Sequence, residues 1–106
     1  GRLSVMLQWQ YDMELLFIVP PTAFDPMPRV DSAIVRMIPR ETPEACSSVA
    51  LEKTVTQAFS QRRKMLRNNL APLFSESRLI ELGIDPTRRP EDLTVEQFIL
   101  LANHLN

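Results

Sequence analysis

Met13–Pro39 reads MELLFIVPPTAFDPMPRVDSAIVRMIP, and this stretch decides the fold. It opens on a continuous apolar run, Met13 to Val19, cut by Pro20 and Pro21. A short run without polar alternation, bounded by prolines, is the pattern of a strand that a complete sheet buries on both faces. It closes on SAIVRMI, Ser32 to Ile38, which is rich in β-branched residues and stopped by Pro39. That is the pattern of a second strand. The connector VPPTAFDPMPRVD is too long and too rich in proline for a tight hairpin. Prolines at 20, 21, 26 and 28 fix φ and stiffen it. Two strands alone are marginal in water. The pair is therefore expected to be the edge of a larger sheet whose other strands lie outside this sequence.

Working outward, Leu3, Met6, Leu7 and Tyr11 recur at helical spacing, so Arg2 to Gln10 reads as the end of a helix. The sequence opens at Gly1, without an initiator Met and inside that amphipathic segment, as expected of an excised piece. Beyond Pro39, residues 40–48, RETPEACSS, form a polar linker. Helical patterns follow. Ser47 or Ser48 caps a helix that buries Val55, Ala58 and Phe59, and Leu66, Leu70 and Leu73 continue the stripe. A break is expected at Gln61–Arg63, then a second helix through Leu70 that Pro72 stops. A third helix runs from Glu76 to Leu82, with Gly83 as a left-handed cap and Ile84 against Leu79. IDPTRRPEDL is a loop. Thr94 and Gln97 form a capping box, with Leu93 and Phe98 as its staple. The last helix is expected to bury Val95, Phe98, Ile99, Ala102 and Leu105. The fold class is α+β: a helix and two antiparallel strands in residues 1–39, the linker 40–48, and a small all-α domain over 49–106.

A chain of 106 residues holds one small domain or a piece of a larger one. Its one cysteine, Cys46, excludes an internal disulfide and suits a reducing compartment, so a cytoplasmic location is expected. No apolar run approaches the ~20 residues that span a bilayer, no secretory signal is visible, and no metal-ligand spacing occurs. Trp9, Tyr11 and the methionines read as packing residues. Neither Cys46 nor His104 sits in a catalytic pattern.

Formal net charge is −1. Against that background, FSQRRKMLRNNL, Phe59 to Leu70, concentrates Arg62, Arg63, Lys64 and Arg67, and no acid occurs from Lys53 to Ser75. Such a local patch fits a polyanion, RNA above all. The alternative is a solvated helix face. If the segment is helical, Arg63, Lys64 and Arg67 lie one turn apart and face one groove. In the proline loop, a stiff backbone can hold Phe24 at the surface to stack on a base, while Asp31 and Ser32 hydrogen-bond the loop's own backbone. The alternative is a structural crossover with Phe24 in the core.

The strings FIVPPTAFDPMPRVDSAIVRMIP, AFSQRRKMLRNNL, GIDPTRRPEDLTVEQF and LAN, in this order, resemble the ribosomal RNA adenine N6-dimethyltransferases, and within them the bacterial small-subunit branch. That resemblance implies the last helix and final two strands of a Rossmann-like class I methyltransferase sheet, followed by the family's helical domain. It implies a parent enzyme, monomeric, that transfers methyl groups from S-adenosylmethionine to N6 of two adjacent adenines in the 3′-terminal hairpin of 16S rRNA, with a role in small-subunit biogenesis. By similarity, Phe24 would stack on the flipped adenine, and Pro26, Pro28, Arg29, Asp31 and Ser32 would shape its loop. Arg62, Arg63, Lys64 and Arg67, with Arg88 and Arg89, would meet the rRNA. The family's glycine-rich cofactor loop and its Asn-Leu-Pro-Tyr segment have no counterpart in this sequence. The piece alone is thus expected to bind no S-adenosylmethionine and no metal and to be inactive. A helix-turn-helix nucleic-acid module, the related large-subunit rRNA methyltransferases and a purely structural interaction domain are the rival readings.

Overall fold

The computed structural model describes residues 1–105; Asn106, the last residue of the expected helical domain, lies outside the described residues. The chain begins with helix α1 (Arg2–Gln10), which runs directly into strand β1 (Tyr11–Val19). The proline loop holds one 3₁₀ turn, Pro21–Ala23, and a cis Asp25–Pro26 peptide. It leads to β2 (Ser32–Pro39), which pairs antiparallel with β1 from Tyr11–Pro39 to Val19–Ser32. The register slips between Leu15 and Phe17, so Leu16 is the extra residue of a β-bulge.

Both strands form as expected, but their burial does not follow. Leu15, Leu16, Phe17 and Ile18 are all exposed, as are Ile34, Val35, Met37 and Ile38 on β2. Successive strand residues point to opposite faces, so both faces of this ladder are apolar and uncovered among the described residues. Burial of a strand interior depends on layers contributed by other segments, and nothing in residues 1–105 supplies them.

The core sits instead among the helices. α2 (Ser48–Ala58), α3 (Leu66–Asn69), α4 (Glu76–Glu81) and α5 (Val95–Asn103) surround fully buried Leu51, Val55, Leu66, Leu70, Leu79, Phe98 and Leu101. α1 joins this core through buried Val5 and Trp9, one turn apart, with half-buried Met6 packed against it; of the expected stripe only Leu3 is exposed. On α5 the expected Phe98, Ile99 and Ala102 are buried, Val95 and Leu105 only half-buried, and Leu101 is the residue the spacing missed.

The caps are those written in the sequence. Ser47 Oγ accepts from the Ala50 amide and Ser75 Oγ from the Arg78 amide. Thr94 and Gln97 bond reciprocally at 3.2 and 2.9 Å, a complete capping box. α4 ends in a Schellman motif at Gly83, whose φ of +80° suits glycine. There the Ile84 amide reaches the Leu79 carbonyl and the Gly83 amide the Ile80 carbonyl.

The linker is strapped down by its neighbours. Trp9 Nε1 donates to the Glu44 carbonyl at 2.8 Å, Asn103 Nδ2 to the Ala45 carbonyl, and the Arg40 amide to the Gln10 carbonyl. Sheet and helical core are thereby joined through several bonds besides the chain itself.

Candidate nucleic-acid interface

α2 ends at Ala58, because the next residues turn out of the helix. Gln61 to Lys64 then form a tight turn, closed by the Lys64 amide on the Gln61 carbonyl at 3.0 Å. Arg62 and Arg63 are its two central residues. The break expected at Gln61–Arg63 is there: Arg62, Arg63 and Lys64 project from a turn and only Arg67 lies on a helix, the four-residue α3, so the condition for Arg63, Lys64 and Arg67 to share a helix face is not met. A turn splays consecutive side chains, so its cations do not share a helix stripe. All four are exposed.

The turn is held from beneath by Asn69, a buried polar residue that sequence reasoning passed over. Its Nδ2 donates to the Ala58 carbonyl at 2.7 Å and to the Gln61 carbonyl at 2.8 Å. The Ala58 carbonyl is one of those that a helix end leaves without a partner. Gln57 Nε2 in turn donates to the Asn69 carbonyl. The only signal in the sequence was an Asn pair in an otherwise apolar and basic stretch, and pattern reading cannot tell which of Asn68 and Asn69 turns inward.

The second basic segment is brought to the first by two backbone bonds. The Leu66 amide donates to the Arg88 carbonyl at 2.8 Å and the Arg67 amide to the Pro86 carbonyl at 2.9 Å. They use donors at the start of α3 that the helix itself cannot satisfy. Pro86 and Pro90, both buried, pin the loop at either side of Arg88 and Arg89, which stay exposed. Asp85 tightens its entry: its Oδ1 accepts from the Thr87 hydroxyl at 2.7 Å and the Thr87 amide at 2.9 Å. Those two bonds hold the Asp85 carboxyl below its ordinary value against an opposing effect of desolvation, with the Arg88 guanidinium adding least. Arg88 pairs with Asp85 and Arg67 with Glu76, at 3.7 and 3.8 Å. Among the described residues no carboxylate lies within 4.0 Å of the side-chain nitrogens of Arg62, Arg63, Lys64 or Arg89, although Asp92 accepts from the Arg89 backbone amide at 3.2 Å. Exposed pairs of the Arg67 and Arg88 kind are weak, so phosphate can compete for all six cations.

The proline loop lies elsewhere. It caps the far end of the β ladder, roughly 25–30 Å from the linker end at ~3.3 Å per strand residue. Phe24 is 43% exposed and takes no part in the helical core. Its amide closes the 3₁₀ turn on the Pro21 carbonyl. Pro26, Arg29 and Asp31 are exposed; Pro28 and Ser32 are half-buried, with Ser32 opposite Val19 at the end of the ladder. Among the described residues the side chains of Asp31 and Ser32 make no hydrogen bond, contrary to the expected backbone contacts. The structure therefore brings the backbones of the two basic segments together and places the loop of Phe24 at the far end of the β ladder.

Other reactive side chains carry no site. Burial, with Glu44 nearby, pushes the Cys46 thiol up and away from the thiolate form that would make it a nucleophile. His104 ends α5 with Nδ1 on the Leu100 carbonyl at 2.9 Å. Among the described residues no group of three metal-ligating side chains occurs, and no helix is long and apolar enough to cross a membrane.

Comparison with known proteins accounts for the whole chain. The family model described as ribosomal RNA adenine dimethylase matches residues 1–106. The chain is 65% identical to ribosomal RNA small subunit methyltransferase A of Herminiimonas arsenicoxydans, over 99% of the chain and 41% of that protein. It is 56% identical to the protein of the same name in Chromobacterium violaceum, over 100% of the chain and 41% of the relative. It thus spans about two fifths of the length of the curated relatives it matches. Among solved structures, the 23S rRNA methyltransferase ErmE superposes with a TM-score of 0.70 at 26% identity, covering 99% of this chain and 46% of the other. A dimethyladenosine transferase from Plasmodium falciparum superposes at 0.68 and 22% identity, over 95% of this chain and 47% of that one, a likeness of fold alone.

Proposed function

The chain belongs to the ribosomal RNA adenine dimethylase family, and from that membership we propose that it is the rRNA-docking portion of an enzyme that dimethylates two adjacent adenines at N6 in the 3′-terminal hairpin of 16S rRNA during small-subunit biogenesis. On this reading residues 1–39 are the last edge of the catalytic domain, 40–48 a linker, and 49–106 the docking domain of a monomeric cytoplasmic enzyme. The small-subunit names of the relatives at 65% and 56% identity support the substrate over the large-subunit alternative, whose representative is 26% identical.

The methyl donor is S-adenosylmethionine, held by parts of the protein that this chain does not span. Nothing here fits it: of the two glycines, Gly83 is spent on the end of α4, and no Gly-x-Gly occurs. The chemistry assigned to these residues is binding and orientation. Phe24 supplies an exposed aromatic face for a base extruded from its stack, on a backbone stiffened by Pro26 and Pro28, with Arg29, Asp31 and Ser32 completing the loop. Arg62, Arg63, Lys64, Arg67, Arg88 and Arg89 take phosphates, which fix register and carry little sequence information. Structured rRNA is then recognised largely by shape.

The observation that supports this reading is the pair of bonds, Leu66 amide to Arg88 carbonyl and Arg67 amide to Pro86 carbonyl, that sets the two basic segments side by side. A gel-shift comparison tests it. The full-length enzyme should bind small-subunit rRNA or its precursor particle far more tightly than duplex DNA of equal length at the same salt. Equal affinity would favour a general nucleic-acid module and remove the proposal.

Phe24→Ala in the full-length enzyme should lower turnover with little loss of particle binding. A lost base–aromatic stack of about 1–3 kcal/mol corresponds to roughly 5- to 150-fold in rate. Methyl transfer measured with preformed enzyme–particle complexes checks this, and normal turnover would return Phe24 to a purely structural part.

A further inference from the structure

Asn69 is 3% exposed, so it cannot itself touch a nucleic acid. Yet its amide joins the two carbonyls that decide where the basic turn stands. Ala58 offers the last carbonyl of α2, and Gln61 the one that also closes the turn around Arg62 and Arg63. One NH₂ group thus ties the turn to the rigid axis of α2, whose Leu51, Val55 and Ala58 are fully buried. The Gln57 amide completes the arrangement by holding the Asn69 backbone from the α2 side. Few side chains meet this geometry. Aspartate would set an acceptor against two acceptors, leucine has no donor, and alanine would strand the Ala58 and Gln61 carbonyls without their shared partner.

We propose that Asn69 is a positioning residue for rRNA docking: its buried amide sets the Gln61–Lys64 turn in the one arrangement that presents Arg62, Arg63 and Lys64 together to phosphate. This rests on the docking reading above. Whatever its cost in stability, its effect on binding passes through the cations, which gives it a distinct signature.

The test is a double-mutant cycle in the full-length enzyme, with binding to small-subunit rRNA measured across a salt series. Asn69→Ala should weaken binding about tenfold and lower the slope of log affinity against log salt. In a background where Arg62, Arg63 and Lys64 are already alanine, Asn69→Ala should change nothing further. The same loss in both backgrounds, or no loss in a folded Asn69→Ala enzyme, overturns the proposal. Gln57→Leu keeps the helix and removes only the supporting bond. It should give about a threefold loss that also vanishes in the triple background, and it decides the matter if Asn69→Ala does not fold. If the triple variant alone binds as tightly as wild type, the docking reading itself falls, and Asn69 with it.

Discussion

Replacing Arg62, Arg63 and Lys64 together with alanine will cost the full-length enzyme about 100- to 500-fold in rRNA affinity near 0.1 M salt, if each side chain meets one phosphate. Each lost phosphate contact removes roughly 0.7–0.9 from the slope of log affinity against log salt, so three remove about 2–2.7. The loss should shrink as salt rises, because released counterions and not short-range contacts drive this part of binding. Folding should be almost untouched. All three side chains are exposed, and among the described residues none pairs with a carboxylate within 4.0 Å. The Gln61–Lys64 turn is closed by backbone groups and by Asn69, which the substitutions spare. Filter binding from about 0.05 to 0.5 M salt, beside a thermal melt, separates the two effects. An unchanged slope would strip the turn of its docking role.

Phe98→Ala should have the largest effect on stability, about 3–5 kcal/mol. The ring is fully buried and stacks on Phe59, with centroids 5.9 Å apart and planes 27° from parallel. Deleting it removes the transfer energy of the ring and leaves a cavity at the junction of α2 and α5. Small domains hold only about 5–15 kcal/mol in total, so the helical part should lose a large share of its stability and melt at a clearly lower temperature. Phe59 is the residue from which the chain leaves α2 toward the basic turn. Hydrogen exchange should therefore accelerate first at the amides from Phe59 to Lys64, even under conditions that keep the variant folded. Phe98→Leu should retain most of the stability. A variant whose exchange at the turn matches wild type would mean that core and docking surface are uncoupled.

Much of this was legible in the sequence because the signals are local. Thr94 with Gln97, and Gly83 followed by Ile84, each lie within a few residues of their partners, and the structure bears them out. The proline boundaries placed both strands to within two residues. What failed depended on contacts distant in sequence or on segments outside the chain. Strand burial was read from composition, but β1 and β2 meet no covering layer here. The turn at Gln61–Arg63 was anticipated, but that it takes in Lys64 as well, so that Arg63, Lys64 and Arg67 share no helix, was not. Asn69 makes that break possible, and its partners at Ala58 and Gln61 are set by tertiary packing. The meeting of Arg88 with the start of α3 likewise crosses some twenty residues, a pairing that no periodicity announces.

The central claim is that two basic segments form a single rRNA-facing surface, and tethered cleavage tests it most directly. With Cys46 replaced by serine in the full-length enzyme, a hydroxyl-radical probe is attached in turn through Gln61→Cys and Glu91→Cys, which flank the two segments and leave every cation in place. Both probes should cut the same stretch of rRNA backbone, at sugars close together across one helix. Cuts confined to two unrelated rRNA elements, or no cuts from either probe in a complex that still methylates its adenines, would contradict it.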